Sequence, residues 1–273
     1  MNKLQSRLNF QKKVAMALAG IVAIAITAPA NAAFVDFIIR GTPEINYDVG
    51  TYSTPNIEFV TSEGGEKAGL GSNDINGKTI GDILQLKIDR LDDRDDSRNY
   101  PVGSGPYVAP YFNIWITDGT NYAVVANEPS NGAFQSLYNN GYDLDYADLS
   151  DKVAKIYENA DKSWLPNNGV GLTFADLNLA GLTIQAPSVA ELNAGWLGLG
   201  SGAPRELGTN KAYGVTWVFG DTASNYVSGD EGFVVANASL SAVPVPAAAW
   251  LFGSALGLLG WVRRRTASPL SAV

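Results

Sequence analysis

The 273-residue chain contains no cysteine and no histidine. Because cysteine is absent, no disulfide can hold the fold together, and its stability must come from core packing. The absence of histidine removes the commonest zinc ligand and the base of Ser-His-Asp and Cys-His catalytic sites. A catalytic serine would need a lysine as its base, and no Ser-x-x-Lys sequence with supporting motifs is present. These absences predict a protein that is not an enzyme and needs no cofactor.

Acidic residues are missing from both ends of the chain. All 27 lie between residues 33 and 242, whereas seven of the 19 basic residues lie outside that range. Residues 33–242 therefore carry 12 basic against 27 acidic residues, a formal charge of −15, compared with −8 for the whole chain. A field of this sign repels nucleic acid and anionic lipid and attracts cations. The sequence thus predicts no nucleic-acid partner.

The first 32 residues have the three parts of a secretory signal peptide. The basic part contains Lys3, Arg7, Lys12 and Lys13. An apolar stretch follows at residues 14–28, and Ala30 and Ala32 supply the small side chains that signal peptidase requires. We expect cleavage to leave Ala33 as the first residue of the mature chain. A retained N-terminal membrane anchor is the alternative.

Residues 243–265 form a second targeting signal; we call this segment and the signal peptide the two addresses of the chain. The first part of this second signal is Val243 with the proline pair Pro244 and Pro246, and an uncharged apolar stretch follows at residues 247–262. Sixteen residues form a helix of about 24 Å, slightly shorter than a hydrocarbon core of about 30 Å. Trp250 lies near one end, where indole rings favour the membrane interface. The last part is the cluster Arg263, Arg264 and Arg265. The positive-inside bias places this cluster and residues 266–273 in the cytoplasm.

This order of parts resembles the PEP-CTERM sorting signal of Gram-negative bacteria. The proline pair, the flanking Val243 and the run at residues 247–253 carry the resemblance, with Val245 between the prolines. The resemblance covers about 23 residues and assigns no family to the rest of the chain. It implies processing by a membrane-embedded exosortase, followed by release or transfer to the cell surface. An ordinary C-terminal anchor that is never cut is the alternative.

The body at residues 33–242 is predicted to be mostly β, because apolar and polar residues alternate along several segments. Residues 111–117 alternate most regularly, with Phe112, Ile114 and Ile116 on one face. The other predicted strands are Leu84–Ile88, Tyr213–Phe219, Phe34–Ile39, Asn56–Val60, Tyr122–Ala126, Leu172–Leu177, Leu182–Gln185 and Phe233–Ala238. We expect a single β-sandwich domain, jelly-roll-like, with one or two short helices.

Two helices are predicted within this β-rich body. The apolar face of the first consists of Leu149, Val153, Ile156 and Tyr157. Asp145 is its expected N-cap, and Asp148 in the first turn favours the helix dipole. The second is expected to begin at Ser188, because Ser188 and Glu191 have capping-box spacing. The glycine-rich stretch Gly195–Gly208 is predicted to be a loop.

An acidic stretch at residues 89–96 contains five carboxylates in eight residues. Calcium takes six to eight oxygen ligands, several of which such a stretch could supply. Calcium binding is therefore the alternative to a stretch that binds no metal. The spacing is not that of an EF-hand loop, and Arg90, Arg94 and Arg98 offset the charge. A solvated, self-neutralising loop is therefore the favoured interpretation. The cluster at residues 143–148 is better explained by helix capping.

Aromatic side chains on a β-scaffold can stack on the C–H faces of sugar rings. The candidates are Trp115, Trp196, Trp217, Tyr107, Tyr111, Tyr122 and Tyr226. Among them Trp115 is the predicted glycan contact, because it lies on the strand face opposite Ile114 and Ile116 and is expected to be exposed. Packing in the core is the alternative for each ring.

Three functions follow from these features. The first is an exported, non-enzymatic protein: a membrane-anchored precursor, processed by signal peptidase and an exosortase-type enzyme, that reaches the cell surface or an extracellular polysaccharide matrix. The second is a glycan-binding module or adhesin. The third is a glycoside hydrolase, which needs only two carboxylates. The candidates for this pair of carboxylates are Asp118, Glu128, Asp230 and Glu231.

Overall fold

The computed structural model describes residues 33–92, 110–127, 132–157, 161–193, 203–220 and 232–243. Ala33 and Val243 are the outermost described residues. The other predicted address residues, Ala30, Ala32, Pro244, Pro246, Trp250, Arg263, Arg264 and Arg265, lie outside these ranges, as do the apolar stretch 247–262 and residues 266–273. Among the helices that the structure describes, none has the length and apolar character needed to cross a membrane.

Strands dominate the structure, with 42% strand and 16% helix, which confirms the mostly β prediction. The strands are β1 (Val35–Arg40), β2 (Glu44–Tyr47), β3 (Ile57–Val60), β4 (Lys67–Ser72), β5 (Ile83–Arg90), β6 (Tyr111–Thr117), β7 (Tyr122–Ala126), β8 (Gly141–Leu144), β9 (Lys155–Tyr157), β10 (Thr183–Ile184), β11 (Val215–Phe219) and β12 (Gly232–Ala242). The helices are α1 (Gly132–Gln135), α2 (Tyr146–Ser150), α3 (Phe174–Leu179) and α4 (Val189–Asn193), with short 3₁₀ segments at Ile80–Asp82 and Pro166–Gly169.

The strands form two antiparallel sheets. Sheet A has the order β1-β4-β11-β6-β7-β9, with β10 also paired to β6, and sheet B has the order β2-β3-β12-β5-β8. The chain crosses repeatedly between the sheets, because β1, β4 and β11 belong to sheet A while β2, β5 and β12 belong to sheet B. Strand pairing in both sheets therefore depends on residues far apart in sequence.

The two sheets share one hydrophobic core. Phe59 of sheet B stacks on Phe219 of sheet A, with ring centroids 4.0 Å apart and planes at 7°. Trp217 of sheet A lies parallel to Tyr142 of sheet B at 6.0 Å and makes an edge contact with Phe112 at 5.9 Å. All five rings are buried. Aromatic packing of this kind provides much of the cohesion of a fold that has no disulfide.

The second face of sheet A is also covered. Trp115 is fully buried, so the expectation that it is exposed is wrong. It packs in a cluster with Leu192 of α4, with Ala203 and Ala212, and its indole nitrogen donates to the Pro204 carbonyl oxygen at 3.4 Å. Since α4 and residues 203–213 pack over this side of the sheet, both faces of β6 are buried despite their alternation.

Residues 172–177 do not form the predicted strand, because most of them belong to helix α3. Thr173 is the N-cap of α3: its hydroxyl accepts a hydrogen bond from the Asp176 N–H at 3.1 Å, and the Asp176 carboxylate accepts one from the Thr173 N–H at 2.9 Å. This capping box stabilises the first turn of a helix. The Thr-x-x-Asp spacing is the sequence signal that the strand prediction missed.

The first predicted helix is shorter than expected. Asp145 caps it, as predicted, and Asp148 in the first turn also completes a capping box, but helix α2 ends at Ser150. Val153 instead forms a bridge with Thr173, and Ile156 lies in β9, which pairs with β7. The helical spacing of these apolar residues was overridden by strand pairing at the margin of sheet A. Helix α4 does begin after Ser188, whose hydroxyl donates to the Glu191 carboxylate at 2.7 Å.

The strands β2, β4, β8 and β9 were not predicted. All six residues of β4 are buried, so it shows no alternation between polar and apolar residues. Strands covered on both faces lack the period-2 pattern on which the sequence prediction relied. Within the predicted loop 195–208, the described residues 203–208 form no helix or strand longer than an isolated bridge at Arg205.

Candidate functional site

A groove of about 300 Å³ opens between the two sheets, where β2, β3 and β12 of sheet B meet the beginning of β1 and strand β4 of sheet A. We call it the intersheet groove. Its apolar lining is formed by Phe34, Pro55, Ile57, Leu70 and Val235. Ligand pockets in proteins occupy about 300–1,000 Å³ and are mostly apolar with a few oriented polar groups. The intersheet groove has the size expected for one small ring.

The polar part of the lining contains one deeply placed amide. Asn56 is only 5% exposed, and its side chain is held from both sides. Its Oδ1 accepts a hydrogen bond from the Val49 N–H at 3.0 Å, and its Nδ2 donates to the Thr54 carbonyl oxygen at 3.1 Å. An amide oxygen accepts two hydrogen bonds and its nitrogen donates two. The Oδ1 of Asn56 can therefore accept one further hydrogen bond, and its Nδ2 can donate one further hydrogen bond.

Two residues of the lining have left-handed backbone conformations. Asp48 has φ of 51° at the end of β2, and Asn237 has φ of 52° in the irregular part of β12 between Ala236 and Ser239. The Asn237 side chain donates to the Asp89 carboxylate at 2.7 Å. Residues with positive φ other than glycine are uncommon and cluster at functional sites. Here the positive φ of Asp48 and Asn237 directs their short polar side chains toward one groove, whose wall they form.

Tyr47 lies at the mouth of the groove with 59% of its side chain exposed. Its hydroxyl donates to the Asp36 carboxylate at 2.8 Å. This hydrogen bond, with smaller contributions from partial burial and the charge of Asp36, raises the pKa of Tyr47 above its usual value. Among the residues that the structure describes, Tyr47 is the only aromatic side chain that is exposed rather than buried or half-buried. Its ring is therefore an available stacking surface beside an apolar groove.

Negative charge surrounds the groove. Asp48 lines it, Asp36 holds Tyr47, and Asp89 holds Asn237. No lysine or arginine belongs to the lining within the described ranges. Lys87, 3.6 Å from Asp89, offsets that one carboxylate. An anionic ligand would therefore meet repulsion mainly from Asp36 and Asp48, whereas a neutral one would not.

The acidic stretch at residues 89–96 is described only as far as Asp92. Within that part, Arg90 forms an ion pair with Asp92 at 2.9 Å, and Lys87 lies 3.6 Å from Asp89. The pair of Arg90 and Asp92 agrees with the self-neutralising part of the interpretation, but Asp89 and Arg90 belong to β5 and Arg90 is buried, so they do not form the predicted solvated loop. The described residues contain no group of three or more acidic, cysteine or histidine side chains arranged to hold a metal ion.

The carboxylate of Asp118, one of the imagined hydrolase residues, organises the turn between β6 and β7. It accepts hydrogen bonds from the N–H groups of Thr120 and Asn121 at 2.8 and 2.7 Å. Burial opposes ionisation, but these hydrogen bonds outweigh it and lower the pKa of Asp118. The other three carboxylates of that hypothesis, Glu128, Asp230 and Glu231, lie outside the described residues.

The sequence prediction named Trp115 and missed Tyr47. The signal was weak: Tyr47 is the last residue of a four-residue strand and precedes Asp48-Val49-Gly50, a turn-like sequence. Nothing in that pattern places it beside residues 235–238, which lie nearly 190 positions away in the chain. A scan of protein-family models, a search of curated proteins and a search of solved structures found no match to this chain.

Proposed function

We propose that this protein is exported, cleaved at both ends, and displayed at the cell surface or in an extracellular polysaccharide matrix, where it catalyses no reaction. Signal peptidase removes residues 1–32, and an exosortase-type enzyme processes the precursor anchored in the inner membrane by residues 247–262. The C-terminal helix is its only membrane contact. The three-part address at residues 243–265 motivates this proposal.

One geometric observation supports it. Both junctions between the body and its addresses are held by the same ten residues, 73–82, which we call the junction segment. The Ala33 N–H donates to the Asp74 carboxylate at 2.8 Å. At the other end, the Val243 N–H donates to the Asp82 carbonyl oxygen at 2.8 Å, and the Lys78 ammonium donates to the Val243 carbonyl oxygen at 2.9 Å.

The first and last described residues of the body, Ala33 and Val243, are therefore both held by the junction segment. Strand β1 begins at Val35 and strand β12 ends at Ala242, so cuts outside Ala33 and Val243 would remove no strand. Such an arrangement suits a domain that folds while tethered and survives the loss of both tethers. It supports the proposed domain boundaries, 33–242.

The finer architecture in this proposal is a jelly-roll-like sandwich. The path β3, β4, β5 alternates between sheets B, A and B, and the later pair β11, β12 follows it, with β11 beside β4 and β12 between β3 and β5. Paired strands that cross together between two sheets are typical of jelly rolls. Two sheets packed around one core suit a domain without disulfides outside the cell.

Fractionation combined with intact mass spectrometry tests the export proposal. We expect the surface or medium fraction to contain a chain that begins at Ala33 and lacks Arg263, Arg264 and Arg265. Recovery of the protein only from the cytoplasm, with both ends uncut, contradicts the proposal. Surface material whose peptides extend through Arg265 would show instead that the C-terminal segment is an anchor that is not processed.

Removal of the signal peptide turns the Ala33 nitrogen into an α-ammonium group beside Asp74. We expect an ion pair that ties the beginning of β1 to the junction segment. In the chain that starts at Ala33, Asp74→Asn is predicted to lower the melting temperature by about 1–2 °C at low salt, because exposed ion pairs contribute little. Thermal unfolding measures this, and 1 M salt should abolish the difference. The same chain acetylated at Ala33 is the control: an equal shift there would mean that no ammonium is involved.

A second candidate function is a glycan-binding module or adhesin. The observation that favours it is the intersheet groove with the exposed ring of Tyr47 at its mouth. Trp115, buried beneath α4, is not part of this candidate. Both functions are compatible in one protein, since a matrix protein must adhere to something in the matrix.

A further inference from the structure

We infer that the intersheet groove binds one ring of a neutral saccharide, with the ring stacked on Tyr47 and its hydroxyl groups facing Asp48, Asn56 and Asn237. This inference rests on the second candidate function and assigns its site and ligand class. Four properties of the groove lead to it: its size, the division of its lining, the exposure of Tyr47 and the sign of the surrounding charge.

The volume of the groove limits its occupant to a small molecule or to one unit of a larger one. A volume of about 300 Å³ lies at the lower end of the range for ligand pockets, about 300–1,000 Å³. A peptide helix with a diameter of about 10 Å would not fit such a groove. A six-membered ring with its substituents has the right dimensions.

The lining is divided between apolar and polar sides. Phe34, Ile57, Leu70 and Val235 offer aliphatic and aromatic surface, and the two residues with positive φ offer a carboxylate and an amide. A sugar ring has the same division, with an apolar C–H face and a rim of hydroxyl groups. Each hydroxyl both donates and accepts, which matches an amide better than it matches an ammonium or guanidinium group.

Charge selects a neutral ring over a charged one. Asp36 and Asp48 would repel a uronate, and no lysine or arginine of the described lining offsets them. Lys87, 3.6 Å from Asp89, offsets only that third carboxylate. A cationic ligand gains little, because Asp48 is exposed and the carboxylates of Asp36 and Asp89 already accept hydrogen bonds from Tyr47 and Asn237. The deepest polar group of the groove, Asn56, is uncharged.

Calorimetry or ligand-observed NMR on the purified full-length chain, in a detergent without a sugar headgroup, tests the inference. The neutral probes are the tetrasaccharides of cellulose, starch, mannan and chitin, and the anionic probe is trigalacturonate. We expect at least one neutral probe to bind with a dissociation constant on the order of 1 mM, as a ligand of one ring allows. Trigalacturonate should bind at least about tenfold more weakly, because of the surrounding carboxylates. Free glucose, mannose and N-acetylglucosamine distinguish a site for free sugar from a site for a unit within a chain.

Three variants separate the contributions. Tyr47→Ala should weaken binding about tenfold, because the stacking surface is lost. Tyr47→Phe keeps the ring and loses only the hydrogen bond to Asp36, so its affinity should stay within about twofold of the original. Ala238→Leu should also weaken binding about tenfold, because it adds bulk to the groove lining while leaving Tyr47 in place. Leu179→Ala, at a side chain that is 83% exposed on α3, is the control.

The outcomes differ in what they overturn. Neutral binding that is unaffected by Tyr47→Ala and Ala238→Leu keeps the glycan-binding function but removes it from this groove. Absence of binding to every probe, neutral and anionic, overturns both the site and the glycan-binding function. Preference for trigalacturonate overturns the assigned ligand class. The melting temperature of each variant shows whether a loss of binding is a loss of fold.

Discussion

Glu66→Ala is expected to reduce the free energy of unfolding by about 2–3 kcal/mol, because it removes the shared charged acceptor of several part-buried donors. Glu66 is only 6% exposed. One oxygen of its carboxylate accepts from the Thr42 N–H at 3.0 Å, and the other accepts from the N–H groups of Ser62 and Glu63 at 2.8 and 3.2 Å. The hydroxyl groups of Thr42 and Ser62 also donate to it.

The position of Glu66 explains why so much depends on one side chain. Thr42 belongs to the connection between β1 and β2, and Ser62 belongs to the connection between β3 and β4. Both connections cross from one sheet to the other. The carboxylate therefore joins two crossovers at the same end of the two-sheet fold, in a chain where no disulfide performs this role.

Acid should weaken this contribution. Burial of Glu66 opposes ionisation, but the hydrogen bonds from Thr42, Glu63 and Ser62 together lower its pKa below the usual value. A lowered folded-state pKa stabilises the protein above the pKa of the unfolded chain, about 4.3 for Glu, and the contribution is lost as the pH falls through the folded value. The difference in stability between wild type and Glu66 variants should therefore be largest near neutral pH and narrow below about pH 4.

Urea unfolding at pH 7 and at pH 3.5 measures both effects. Glu66→Gln is the matched variant, because it keeps the shape and one acceptor oxygen but loses the charge. We expect it to cost about 1–2 kcal/mol at neutral pH, less than the alanine variant. A gap between wild type and Glu66→Gln that stays constant across this pH range would show that the ionised carboxylate is not what holds the crossovers.

Gly141→Ala is expected to cost about 2–4 kcal/mol, because strain and steric overlap act together at this residue. Gly141 begins β8 with φ of 120° and pairs with Asp89 of β5. A Cβ atom there would lie 2.1 Å from the Ile88 carbonyl oxygen, a backbone atom that cannot move without disturbing β5. The substitution should push β8 away from sheet B and shift Tyr142, which follows it, from its place against Trp217.

Gly119→Ala separates strain from overlap. Gly119 lies in the turn between β6 and β7 with φ of 95°, but a Cβ atom there would meet nothing within 4 Å. We expect it to cost only about 1 kcal/mol, the contribution of the backbone conformation. Urea unfolding followed by circular dichroism compares the two variants. Equal losses at the two positions would mean that the contact with Ile88 carries no cost.

Local patterns in the sequence were sufficient for much of the β-structure. Residues 111–117 alternate regularly, and β6 has those bounds. The Asp145 and Ser188 caps were also predicted, because a capping box depends on only four consecutive residues. A local pattern was insufficient where tertiary pairing opposed it. The apolar spacing through Val153 and Ile156 predicted a helix, but Ile156 lies in β9, which pairs with β7.

The sequence by itself determined the mostly β composition, the caps and the acidic character of the body, because these follow from the order of neighbouring residues and from simple counting. Tertiary structure alone decided which faces are buried and which residues share a site. Trp115 alternates as an exposed residue would, yet α4 and residues 203–213 cover it. Tyr47 is drawn to residues 235–238 only because β12 pairs with β3. Burial and proximity depend on contacts between distant segments, and no local pattern records them.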